Sequence, residues 1–128
     1  MIEVAAAIIR NEAGLILIAR RREGKSQAGL WEFPGGKLEP GESPEACIRR
    51  ELREEMNIDV EALDYFAANE HDYGSVSIRL IGWHAVYRGG DIRLTDHDDY
   101  RWAALDELGR YSFAPADIPL VERLVRER

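Results

Sequence analysis

Short apolar runs separated by turn-forming residues open the chain. "VAAAIIR" (4–10) and "LILIAR" (15–20) are apolar and partly β-branched, and the "NEAG" between them is a turn signal, so they predict two paired strands. A polar loop follows over 21–30, then "WEF" as a short strand and "PGGKLEPGE" as a Gly/Pro-rich loop. Ser43 offers a helix N-cap and Pro44 suits the first helical position, where its missing N–H costs nothing. From there to Met56 the residues are good helix formers, and Ile48, Leu52 and Met56 recur at i, i+4, i+8 as one apolar stripe. "IDVEALDYFAA", "VSIRLIGWHAVYRG" and "YRWAAL" read as further strands, "DELGRY" as a short helical turn and "PADIPLVERLVRER" as a C-terminal helix. Strands with scattered helices of this kind predict an α/β (α+β) class: a mixed β-sheet covered by helices on both sides, in a single domain over 1–128.

Composition narrows the setting. At 128 residues, 45% hydrophobic and 32% charged, the chain has the make-up of one globular domain. The N-terminus lacks the features of a signal peptide and no apolar run approaches a membrane span, which implies a cytoplasmic protein with no membrane partner. The single cysteine, Cys47, excludes an internal disulfide and any multi-cysteine metal site, and its helical setting suggests a small packed residue. With 24 acidic against 17 basic residues the formal charge is −7, which repels nucleic-acid polymers. The one basic cluster, "ARRREGK" (19–25), reads on its own as a solvated loop.

Charge becomes informative at the helix. With 100° per residue, Glu55 lies about 40° to one side of Glu51 and Glu54 about 60° to the other. The three carboxylates thus share one narrow sector, beside the apolar stripe and next to Arg50. Like charges at this spacing cost only about 0.2–0.5 kcal/mol per pair, so an exposed acidic face could carry them. The Gly-rich loop leading straight into the helix, with Glu42 before it, favours another reading. Clustered carboxylates are what Mg²⁺ or Mn²⁺ needs, because these hard cations take oxygen ligands and leave positions open for phosphates.

Gly36, five residues, Glu42, seven residues, then "RELREEMNI" from Arg50 to Ile58 resembles the Nudix box, the loop-helix-loop signature (36–58) of hydrolases acting on a nucleoside diphosphate linked to another group. One defined position differs: Asn57 stands where the family has Gly. Its job there is a left-handed cap, for which Asn is the next best residue. "IIRNEAGLILIARRR", "GLWEFPGGKLEPGES" and "FAPADIPLVERL" extend the likeness to the MutT branch, which includes 8-oxo-dGTP diphosphatases and CTP pyrophosphohydrolases.

The resemblance implies a Nudix fold and Mg²⁺-dependent hydrolysis of a nucleoside triphosphate to monophosphate and diphosphate, with attack at the β-phosphorus. Carried over, it makes Glu51, Glu54, Glu55 and the Gly35 carbonyl metal ligands, and Arg50 the residue that orients the carboxylates. Asp96, six residues before Trp102, matches a further acid that is Glu in the relatives. Either Asp96 or Glu54 would be the general base, with a plain acidic loop as the other reading of Asp96. Arg21 matches a phosphate-contacting arginine; Phe33, Gly35, Gly36 and Lys37 fall among the substrate contacts. Asp117 in "APADIP" matches a base-contacting position, or is merely a charge at a helix N-terminus. Trp31 and Tyr73 could stack on a base or belong to the core, and none of His71, His84 and His97 is assigned. A nucleotide-binding sensor without turnover and an ADP-ribose or sugar-nucleotide hydrolase are the alternatives, and the chain could be a monomer or a homodimer.

Overall fold

The computed structural model describes residues 1–127. Seven strands form one mixed sheet: β1 (Ile2–Arg10), β2 (Ile16–Arg21), β3 (Trp31–Glu32), β4 (Gly35–Lys37), β5 (Asp59–Asp72), β6 (Ser77–Gly89) and β7 (His97–Ala103). Helix α1 spans Pro44–Met56, a 3₁₀ turn Leu105–Arg110, and α2 Ile118–Arg126, so the mixed sheet between helices that the sequence implies is what forms. The strand order is β3-β2-β1-β6-β5, with β4 added to β1 and β7 to β2. β1 and β6 run parallel over the whole of β1, from Ile2↔Ile78 to Arg10↔Val86; the other pairings are antiparallel. No described helix is long and apolar enough to cross a membrane.

The apolar runs read as strands because both faces of the sheet are buried. Along β1, Ala5, Ala7 and Ile9 face α1, meeting Ile48, Leu52 and Met56, while Ala6 and Ile8 face the other way toward Leu120 and Leu124 of α2. Successive side chains alternate between the two layers, and each layer carries one helix.

One sequence expectation needs correction. β1 and β2 are joined by a tight turn, with Asn11 Oδ1 accepting from the N–H groups of Ala13 and Leu15 (both 3.0 Å), but the strands pair only at Arg10↔Ile16. Beyond that point they diverge into a fork. Its inner edges are taken by two strands from the segment 31–37: β3 joins β2 (Ala19↔Glu32, Arg20↔Trp31), and β4 joins β1 (Val4↔Lys37 to Ala6↔Gly35). β4 therefore lies inside what reads as a plain loop, and Phe33-Pro34 crosses the fork, with the Ala7 N–H donating to Pro34 O at 2.8 Å.

Helix α1 keeps its expected boundaries for local reasons. Ser43 Oγ accepts from the Ala46 N–H at 3.2 Å, and Pro44 opens the helix. Asn57 closes it in the left-handed region (φ 59°), its N–H donating to Arg53 O at 3.1 Å. We expect Asn57→Ala to lower unfolding free energy by about 1–2 kcal/mol, the penalty of a Cβ in that region, and Asn57→Gly to lower it much less. Urea titrations of the two variants against wild type check this.

Candidate active site

The fork, β4 and the exposed edge of α1 enclose a cavity of about 590 Å³. Gly35 and Gly36 form part of its wall for different reasons. A Cβ on Gly35 would stand 1.8 Å from Ala5 O, so β4 can lie against β1 only without a side chain there. A Cβ on Gly36 would stand 2.3 Å from the carboxyl carbon of Glu51, so this glycine makes room for an acid.

Arg50 ties the turn to the helix. Its guanidinium takes Glu42 in a fork, Nε to Oε2 and Nη2 to Oε1, both at 2.8 Å. Nη1 donates to Glu51 Oε1 at 2.7 Å and to Glu54 Oε2 at 3.4 Å, and Nη2 also reaches Lys37 O at 3.2 Å. Arg50, with the Glu39 N–H, holds the Glu42 carboxyl down to about 2. Glu42 is thus a structural anchor, fixing the arginine that fixes Glu51.

Glu51, Glu55 and Asp96 converge at this end of the cavity. Glu55 is pushed up to about 10, by burial and then by its hydrogen-bonded neighbours Glu51 and Asp96. Burial also works against the Asp96 anion, but bonding to Glu55 and to Lys25 (Nζ–Oδ1 3.1 Å) holds Asp96 below the usual carboxylate range. Burial and the two neighbouring acids thus favour the protonated form of Glu55. Glu54 is placed differently: its side chain is 60% exposed, it is absent from the cavity wall, and it is held there by Arg50.

Among the described residues no three acids, histidines or cysteines are already disposed as a chelate, and Arg50 and Lys25 hold oxygens of Glu51 and Asp96. The donor set nonetheless fits a hard divalent cation. It consists of oxygen only, it is crowded with negative charge that burial penalises, and Gly36 leaves the approach to Glu51 free of a side chain.

The far end of the cavity is more apolar, with Phe33, Tyr73, Ile78 and Leu80 around one buried acid, Asp117. Asp117 is 5% exposed, and its Oδ2 accepts from the Phe33 N–H at 3.0 Å. Although it precedes α2, its side chain makes no capping bond to that helix. Burial, and then the nearby Glu32 charge, raise its carboxyl well above the usual range, against the pull of the Phe33 N–H and Arg21. The Tyr73 hydroxyl accepts from the Ala116 N–H at 3.0 Å and Asn69 Nδ2 donates to Ala116 O at 3.1 Å, so the end of β5 and the residue just after it position the segment carrying Asp117.

Arg21 lines the cavity, with Nη1 at 3.3 Å from both Glu32 oxygens and Nε donating to Ser26 O at 2.5 Å. Lys37 stands exposed at the rim. Trp31 is core, edge-on to Tyr111 at 5.0 Å and outside the cavity wall. Glu32, Lys25 and His97 escape a reading of the sequence, although a lone acid between Trp31 and Phe33 is a signal, because a charge set among apolar side chains needs a partner.

Comparison with known proteins agrees with this architecture. Residues 2–124 match the NUDIX domain family. The chain is 42% identical over 128 residues to the CTP pyrophosphohydrolase of Escherichia coli K12, covering all of this chain and 94% of that protein. It is 34% identical over 125 residues to the 8-oxo-dGTP diphosphatase of the same strain, covering 98% and 97%. The crystal structure of the MutT protein from Methanosarcina mazei Go1 superposes with a TM-score of 0.88 at 32% identity, covering 98% of this chain and 94% of that one.

Proposed function

The chain belongs to the NUDIX family, and from that premise we propose that it is a Mg²⁺-dependent pyrophosphohydrolase converting a nucleoside triphosphate and water to the monophosphate and diphosphate, with a cytosine nucleotide as its preferred substrate. The observation that carries the reading is the cavity itself, with three acids beside the glycines of β4 at one end and a buried acid near aromatic rings at the other. The higher identity to a CTP enzyme than to an 8-oxo-dGTP enzyme, each over nearly full length, favours cytosine over the oxidised purine.

The family is generally dependent on a divalent metal, and here Glu51, Glu55 and the Gly35 carbonyl, with Glu54 beside them, would hold it. When bound, the ion offsets phosphate charge and makes water more acidic. Arg50 holds Glu51 in its orientation and shares its charge with Glu54. Between the two candidates for the general base, position supports Asp96: it lines the cavity as an anion steadied by Lys25, whereas Glu54 lies on the exposed side of α1. Asp96 would take the proton of the attacking water. Arg21 and Lys37, from opposite arms of the fork, supply positive charge to the phosphates. Burial favours the protonated form of Asp117, and in that form its carboxyl can both donate to and accept from the edge of a base.

The test is a panel of undamaged and oxidised (d)NTPs with Mg²⁺, read as diphosphate release. Absence of release from every member would sink the reading. Asp117→Ala is expected to compress the kcat/KM ratio between cytosine nucleotides and the rest by about tenfold or more, the worth of one hydrogen bond in a desolvated site. An unchanged ranking would remove Asp117 from base recognition.

A further inference from the structure

β7 begins with a histidine that never meets the cavity. The His97 side chain is fully buried (0% exposed), and Nε2 lies 2.8 Å from Glu32 Oε2. Nδ1 is buried with no partner among the described residues. A leucine would fill the space without leaving a ring nitrogen unpaired, so burial does not explain the imidazole; its single side-chain bond, to Glu32, does.

The backbone is arranged to make that bond. Pairing between β2 and β7 runs regularly from Ile16↔Ala103 to Arg20↔Asp99, then slips so that Arg21 faces His97 instead of Asp98. The bulge leaves Asp98 exposed, bonded to Arg20 Nε at 2.7 Å, and turns His97 inward. Glu32, on the neighbouring β3, is thus gripped by His97 from β7 and by Arg21 from β2, and it faces the cavity close to Asp117. In the tautomer with the proton on Nε2, which pairs that nitrogen with the Glu32 carboxylate, Glu32 is held by two donors and can only accept, so it favours a base edge offering N–H and disfavours one offering a carbonyl.

We propose that His97 is a positioning residue for base selection: its Nε2–H holds the Glu32 carboxylate in the orientation that distinguishes a base bearing an exocyclic amino group, such as cytosine, from its keto counterpart uracil. This rests on the nucleotide-hydrolase reading above. Turnover and calorimetric binding of CTP and UTP are compared in wild type, His97→Leu, His97→Gln, Glu32→Gln and the His97→Leu/Glu32→Gln double variant, with thermal melts showing that each is folded. His97→Leu is expected to lower the CTP:UTP ratio of kcat/KM about tenfold, chiefly through KM for CTP. His97→Gln, whose amide nitrogen can take the place of Nε2, restores most of that ratio. In the Glu32→Gln background His97→Leu changes the ratio no further. A folded His97→Leu that keeps the wild-type ratio, or one whose effect persists undiminished in the Glu32→Gln background, overturns the proposal. If wild type neither binds nor hydrolyses either nucleotide, the functional reading falls first and this inference with it.

Discussion

Glu55→Gln is expected to lower kcat for diphosphate release about a thousandfold while making the metal-free protein more stable at alkaline pH. Both effects have one cause. Glu55 is buried against Glu51 and Asp96, and its carboxyl rises from 4.5 to about 10. A carboxyl raised in the folded state contributes stability that is fully present below its unfolded value. That stability is lost as pH climbs from about 4.5 through about 10. Gln keeps the size and a neutral form at every pH, so the variant escapes the loss. Melting temperatures in EDTA should therefore separate as pH rises from 6 to 9, the variant above wild type, while diphosphate release with Mg²⁺ collapses. If the two proteins melt alike across that range, Glu55 is not the member of the cluster that keeps the proton. If turnover survives, it does not serve the reaction.

The two adjacent glycines of β4 should fail in different ways when replaced by alanine. At Gly36 the new methyl group meets the flexible side chain of Glu51, at 2.3 Å from its carboxyl carbon. The side chain can swing aside and the fold survive, but Glu51 leaves the position in which Arg50 holds it. We expect kcat/KM to fall about a hundredfold, as a displacement near 1 Å in a reacting site commonly produces, with little change in melting temperature. At Gly35 the methyl group meets backbone, at 1.8 Å from Ala5 O and 3.2 Å from Ala6 Cα, neither of which can rotate away. There the loss should appear as stability, about 3 kcal/mol or more, because β4 must lift from β1. Kinetics and melts on both variants test the distinction, and a Gly36→Ala enzyme of full activity would mean that Glu51 tolerates displacement.

What a sequence shows and what it hides divide here along one line. Helix α1 is legible to the residue because everything that defines it is local: the Ser43 cap, Pro44, the stripe ending at Met56 and the left-handed Asn57. That Glu51 and Glu55 share one side follows from the same helix, and the wheel that places them also places Glu54 in their sector. The wheel cannot say how far the sector is covered; β4 covers the Glu51 side and leaves Glu54 to solvent. Strand pairing is settled at a distance. Nothing within "VAAAIIR" or "LILIAR" records that β1 takes β6 and β4 while β2 takes β7 and β3. Asp117 shows the same limit, because whether its carboxyl serves its own helix or bonds to Phe33 depends on a segment 84 positions earlier.

The fork between β1 and β2 bears on how the protein grips what it binds. Asp96 and Arg21 ride on one prong, Gly35 and the helix bearing Glu51 and Glu55 on the other, and the prongs meet in a ladder only at Arg10 and Ile16. They are joined a second time across the open end, where Phe33-Pro34 crosses and the Ala7 N–H donates to Pro34 O. The span between the acids on the two prongs is therefore set by a short tie of seven residues, 31 to 37, which gives one strand to each prong and carries Gly35 and Gly36 on the way.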